Sequence, residues 1–202
     1  LGKKEYDKAL SSFQLAYSHL QDPKAKEQIE KVQKLIEDEK IAQRAFAETE
    51  GSLKSGEYEK TISRASEILE KYPNTHYTES ILKLKQDAQV KLAEIARQKE
   101  ERFKENYRKA LTYYQQKPPD LKNARLSLQT ALKEKDDSDA KNLLTTIDTT
   151  IDQYEKLLTE GKKKLNTGIR QKDKPLILEA KEDFSKAKEL WATEEASKLY
   201  TQ

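Results

Sequence analysis

From position 76 to 116 the chain contains neither proline nor glycine, and apolar or aromatic residues fall at 81, 84, 88, 92, 95, 103, 107, 110 and 114. With one skipped step at Lys99, the period is about 3.67 residues, that of a nearly straight helix, and an unbroken helix over this span is about 60 Å long. The same periodicity continues on either side. Asp22 before Pro23 is the cap and first turn of a helix that runs through Ile29, Val32, Ile36, Ala42, Ala45 and Phe46 to about Lys54, where Gly56 breaks it. A helix from Glu57 to Lys71 stops ahead of Pro73. PPD at 118–120 ends the long segment, and Asp120 is placed to cap a helix from Leu121 to Glu134. DDSD at 136–139 opens a helix through Leu143, Ile147, Ile151, Tyr154 and Leu158, which is expected to give way around Gly168 to a polar loop, IRQKDK. Pro175 opens the next helix, and ATEE begins the last.

The shorter helices share a second pattern. Ala9, Phe13 and Ala16; Thr61, Ala65 and Ile68; Ala124, Leu128 and Ala131; and Ala180, Phe184 and Ala187 each stand four and then three residues apart. On a helix this spacing makes one stripe, in three of the sets with a wide side chain between two places of close approach. Any tightly crossing helix pair can use such a stripe. Four sets in one register, alternating with long helices, indicate a repeat. The expected fold is all-α, an α-solenoid of helical hairpins spanning 1–202 as one elongated array. Its second helices lie near 5–20, 57–71, 121–134 and 175–190.

Composition fits a stack one helix layer thick: 37% of residues are charged and 35% hydrophobic. The 39 basic and 36 acidic residues alternate in sign, as on solvated helix faces, and the net charge of +3 selects no partner. Without cysteine there is no disulfide or thiol chemistry, and a periplasmic or a cytoplasmic setting suits the chain equally. No apolar run approaches a membrane span and no targeting signal is visible. The chain opens in mid-pattern at LGKKEYDKAL without methionine and is expected to be a fragment of a longer protein.

Chemistry is hard to place on this chain. His19 and His76 have no neighbours at metal-ligand spacing. DDSD lacks the turn glycine and closing glutamate of a calcium loop, and in GSLKSG the residues after the second glycine are Glu57 and Tyr58, where a phosphate loop requires lysine and a hydroxyl. No nucleophile–base pair can be proposed from spacing. The expectation is a non-enzymatic protein without cofactor or metal. Lys162, Lys163, Lys164, Arg170, Lys172 and Lys174, against Asp173 alone, form a basic stretch that suits either phosphate contacts or a helix C-terminus.

GKKEYDKALSSFQLAYSHL and KSGEYEKTISRASEILEKYP resemble the turn and second helix of tetratricopeptide repeats, in which Gly and Tyr precede a small–large–small helix that ends at Pro. EKYPNTHYTESILKLK is similar to phrases in periplasmic tetratricopeptide lipoproteins that help to assemble bacterial outer membranes. The resemblance implies a concave groove formed by the first helices. Its positions carry over to Gln43, Phe46, Glu50 and Leu53; to Asn106, Lys109, Tyr113 and Gln116; and, counted from Gly161 as the family's close-packing glycine, to Glu155, Leu158, Lys162 and Leu165. Phe46 and Tyr113 would be the aromatic anchors, with core packing as the alternative for Phe46. The implied function is a scaffold that binds protein partners without chemistry. Self-association as a structural or filament subunit, or electrostatic attachment to nucleic acid or a membrane surface through 162–174, are the alternatives; no nucleic-acid partner is expected.

Overall fold

A computed structural model describes residues 3–201, with side chains from Glu5 onward. The described chain is all-helical: α1 (Lys3–Leu20), α2 (Pro23–Lys54), α3 (Tyr58–Lys71), α4 (Thr78–Gln115), α5 (Leu121–Glu134), α6 (Ser138–Gln171), α7 (Lys174–Leu190) and α8 (Glu194–Thr201). Among the described residues no helix is long and apolar enough to cross a membrane. The chain gathers into two compact units, residues 1–96 and 97–202, with the boundary inside α4.

Aspartates start several of these helices by accepting hydrogen bonds from otherwise unpartnered N–H groups. Asp22 accepts from Lys24, Asp120 from Asn123, Asp137 from Asp139 and Ala140, and Asp173 from Leu176. DDSD is accounted for in this way: Asp137 caps α6, and Asp136 pairs with Lys141.

In the first unit, α2 packs between α1 and α3. Thr61 and Ala65 are fully buried and Ile68 half-buried, whereas Ala9, Phe13 and Ala16 of α1 are all half-buried. Threonine takes a small position inside this core because its hydroxyl bonds back along its own helix. Thr61 Oγ1 donates to the Glu57 carbonyl at 2.9 Å and Thr49 Oγ1 to that of Ala45 at 2.7 Å, so neither is left unsatisfied.

The second unit holds the larger core. All of Ala124, Leu128, Ala131, Ala180, Phe184 and Ala187 are buried in it, together with Ile147, Ile151, Tyr154, Leu158 and Trp191. Helices α6 and α7 form a close hairpin. A Cβ on Gly161 would lie 2.6 Å from Cε1 of Phe184, so the ring rests on bare backbone. Gly168 behaves in the same way: a Cβ there would meet Ile177 Cγ1 at 2.7 Å. This corrects the expectation that α6 ends at Gly168. That glycine is a packing position inside the helix, which continues to Gln171 and ends where Lys172 turns left-handed (φ 56°).

Two glycine substitutions separate packing from helix propensity. Gly161→Ala gains about 1 kcal/mol of propensity but forces the buried Phe184 ring aside, and should be net destabilising by about 1–2 kcal/mol in urea unfolding. Gly51→Ala, on an exposed face of α2 with nothing within 4 Å, should be stabilising by about 0.5–1 kcal/mol. Equal effects at the two sites would contradict the close packing of α6 on α7.

Candidate functional site

Beyond α7 the chain leaves the helix at Trp191 and starts α8 at Glu194. This exit lays the indole against α6. Trp191 is only 8% exposed, its ring meets Tyr154 edge-on at 5.1 Å, and its Nε1 donates to the Pro119 carbonyl at 2.9 Å. Tyr154 in turn shares a hydrogen bond with Thr193, whose Oγ1 accepts from the Ala196 N–H at 3.1 Å and so caps α8. Every polar atom in this chain of contacts has a partner, which makes the floor rigid.

Over that floor opens a cleft of about 420 Å³, lined by α6 (Tyr154, Glu155, Leu158, Thr159, Lys162), by Lys122 at the start of α5, and by Trp191, Thr193 and Glu195. Lys122 Nζ stands 5.8 Å from the centroid of the Trp191 ring, a cation–π contact. Lys162 is tied to Glu195 at 2.6 Å. Glu155 and Lys122 enter no ion pair among the described residues.

Of the twelve groove positions implied by the resemblance, Glu155, Leu158 and Lys162 come together here, with Leu158 buried in the floor at 5% exposure. The others lie elsewhere and several are engaged locally. Phe46 is half-buried against Tyr77 at 5.6 Å, Glu50 pairs with Lys54 at 3.0 Å, and Leu53 is half-buried. Asn106 donates to the Arg102 carbonyl at 2.9 Å, and Lys109 pairs with Glu105 at 2.7 Å, which raises the lysine pKa. Tyr113 is half-buried against the core of its unit and walls a shallow depression with Glu105, Arg108, Lys109 and Thr112. The sequence places Tyr154 in the apolar stripe of its helix and Thr193 in the ATEE that begins the last one, but marks neither these nor Trp191 and Lys122 as site residues. The one available signal was that Trp191 is the sole tryptophan of the chain.

The basic stretch is partly neutralised. Besides the Lys162–Glu195 pair, Lys164 contacts Asp183 at 2.9 Å and Glu179 at 3.5 Å. No group of three histidine, aspartate or glutamate side chains among the described residues is placed to hold a metal ion. Comparison with protein-family models, with curated proteins and with solved structures finds no match.

Asp183, bonded to Lys164, holds that ammonium above its ordinary pKa of 10.5, against the opposing effect of desolvation. A lysine whose pKa is raised on folding contributes stability that is complete below its unfolded value and is lost as pH rises through the folded one. The wild-type chain should therefore lose stability above about pH 10.5 more steeply than Asp183→Asn. Thermal unfolding across that range measures the difference, and parallel curves for the two proteins would refute it.

Proposed function

We propose that the chain is a non-catalytic protein-interaction module built from tetratricopeptide-like hairpins, and that the cleft on α6 grips an extended segment of a partner. The buried small–large–small sets on α5 and α7, and the Phe184 ring seated on Gly161, support the likeness in packing. One observation carries the functional reading: Lys122 and Glu155, of opposite charge and without an ion pair among the described residues, flank an apolar floor of Trp191 and Leu158. Charges such as Lys109 and Glu105 or Lys54 and Glu50 are paired along single helices, and Asp152, Lys156 and Glu160 of α6 enter no ion pair among the described residues either, so it is the apolar floor between the two charges that sets the cleft apart. Charges without a carboxylate or ammonium partner beside an apolar seat favour a segment with an aliphatic residue between an acidic and a basic one. The 162–174 stretch offers less to nucleic acid, since Lys162 and Lys164 are bound to carboxylates.

Selection of displayed peptides on the full chain at moderate salt tests this reading, with Trp191 fluorescence as the readout. Enriched sequences should carry the acid–aliphatic–base pattern. Lys122→Glu should weaken their binding about three- to tenfold, and exchanging the peptide's acidic residue for lysine should restore it. Enrichment of no sequence, or of sequences indifferent to Lys122→Glu, would exclude the cleft as the binding site. Self-association draws on a different observation, the exposed Ile169 (62%) and Leu178 (67%) near the turn between α6 and α7. Under that reading sedimentation shows a mass that rises with concentration and is restored to the monomer by Ile169→Glu.

A further inference from the structure

The first unit carries an open pocket of its own, about 400 Å³, where Tyr6 of α1 faces the middle of α2 and the turn that leads into α4. Its walls are the rings of Tyr6, His76 and Tyr77 with Ile36, and its polar groups are Glu39, Lys40 and Gln43. The rings are fixed in place. Tyr6 and His76 meet at 89° with centroids 6.4 Å apart, and Tyr77 is backed by Phe46. Glu39 is anchored too: its Oε1 accepts from both the backbone N–H of His76 at 3.0 Å and Nδ1 of the same residue at 2.9 Å. A ring nitrogen facing a carboxylate donates, so Nδ1 carries a proton, and Oε2 takes no hydrogen bond from the described residues.

Two carboxylates, Glu39 and Glu5, act on the phenol that walls this cavity. Burial, then the charges of Glu39 and Glu5, hold the Tyr6 phenol above its ordinary pKa. The cation among the lining residues, Lys40, leans to Glu37 at 3.5 Å. Glu39 and His76 alone do not make a metal site. Ring faces attract a cation through their quadrupoles, and a carboxylate held beside them adds a full charge. We propose that this cavity binds a quaternary ammonium group, seated among Tyr6, His76 and Tyr77 and balanced by Glu39. The group could come from choline or from a trimethylated lysine of a protein.

NMR titration of the full chain tests the site. The probes are choline, its neutral isostere 3,3-dimethylbutan-1-ol, and a short peptide with either trimethyl-lysine or lysine. Choline or the methylated peptide should shift amides within 36–43 and 76–77, with the isostere and the unmodified peptide binding about tenfold more weakly. Glu39→Gln and Tyr77→Leu should each weaken binding about tenfold. Lys40→Gln, at an exposed side chain whose loss leaves the fold intact, should tighten it. Whichever of choline and the methylated peptide binds more tightly identifies the source, and either result supports the site. Equal affinity for choline and its isostere, shifts confined to other residues, or an unchanged affinity in Lys40→Gln would overturn it.

Discussion

The approach of α7 to α6 at Gly161 is the constraint on which the second unit depends. A phenyl ring resting on backbone brings two helices closer than any side chain at that position would permit, and Ala180 and Ala187 keep the flanking turns from pushing them apart. Burial of Phe184 follows, and with it the alignment of α6 along the hairpin as far as the second glycine at 168. Once α6 is fixed, the flank of the same packed face can present Glu155 and Lys162 at defined positions over the Trp191 floor. Packing along one stripe of the helix thus positions the charges beside it.

Both cavities arise by the same local device. After a short packed helix the chain turns, and the turn swings aromatic residues over the preceding long helix: His76 and Tyr77 after α3, and Trp191 after α7. Polar anchors then lock the rings, through Glu39 in one case and the Pro119 carbonyl in the other. Most exposed ion pairs, by contrast, lie within single helices and contribute little to stability. Arg102–Glu134 and Lys164–Asp183, which join neighbouring helices, constrain direction more than they add energy.

Much of this architecture was legible because it is written in local code. Aspartate before a helix start, a periodic apolar stripe and a proline after a stop each act within a few residues, and Asp22, Asp120 and Asp137 cap where the sequence places caps. The stripe residues of α5 and α7 are buried for the same reason. Gly168 misled because a glycine that ends a helix and one that admits a neighbour look alike until the neighbour, Ile177, is known. Leu158, a groove position by resemblance, lies buried in the cleft floor with Trp191. The cleft itself was invisible for a related reason. Lys122, Tyr154 and Trp191 converge from the start of α5, the middle of α6 and the exit of α7, and no spacing in the sequence encodes their meeting.

The hydrogen bond from Trp191 to Pro119 spans 72 residues in a unit where most packing joins helices adjacent in the chain. A stack held only by nearest neighbours frays from its ends, each helix leaving at its own free energy. By tying the entrance of α5 to the exit of α7, this bond closes the stack into a ring of contacts around α6. Opening the stack at either end then costs this bond as well, about 1 kcal/mol, which couples the helices that frame the cleft.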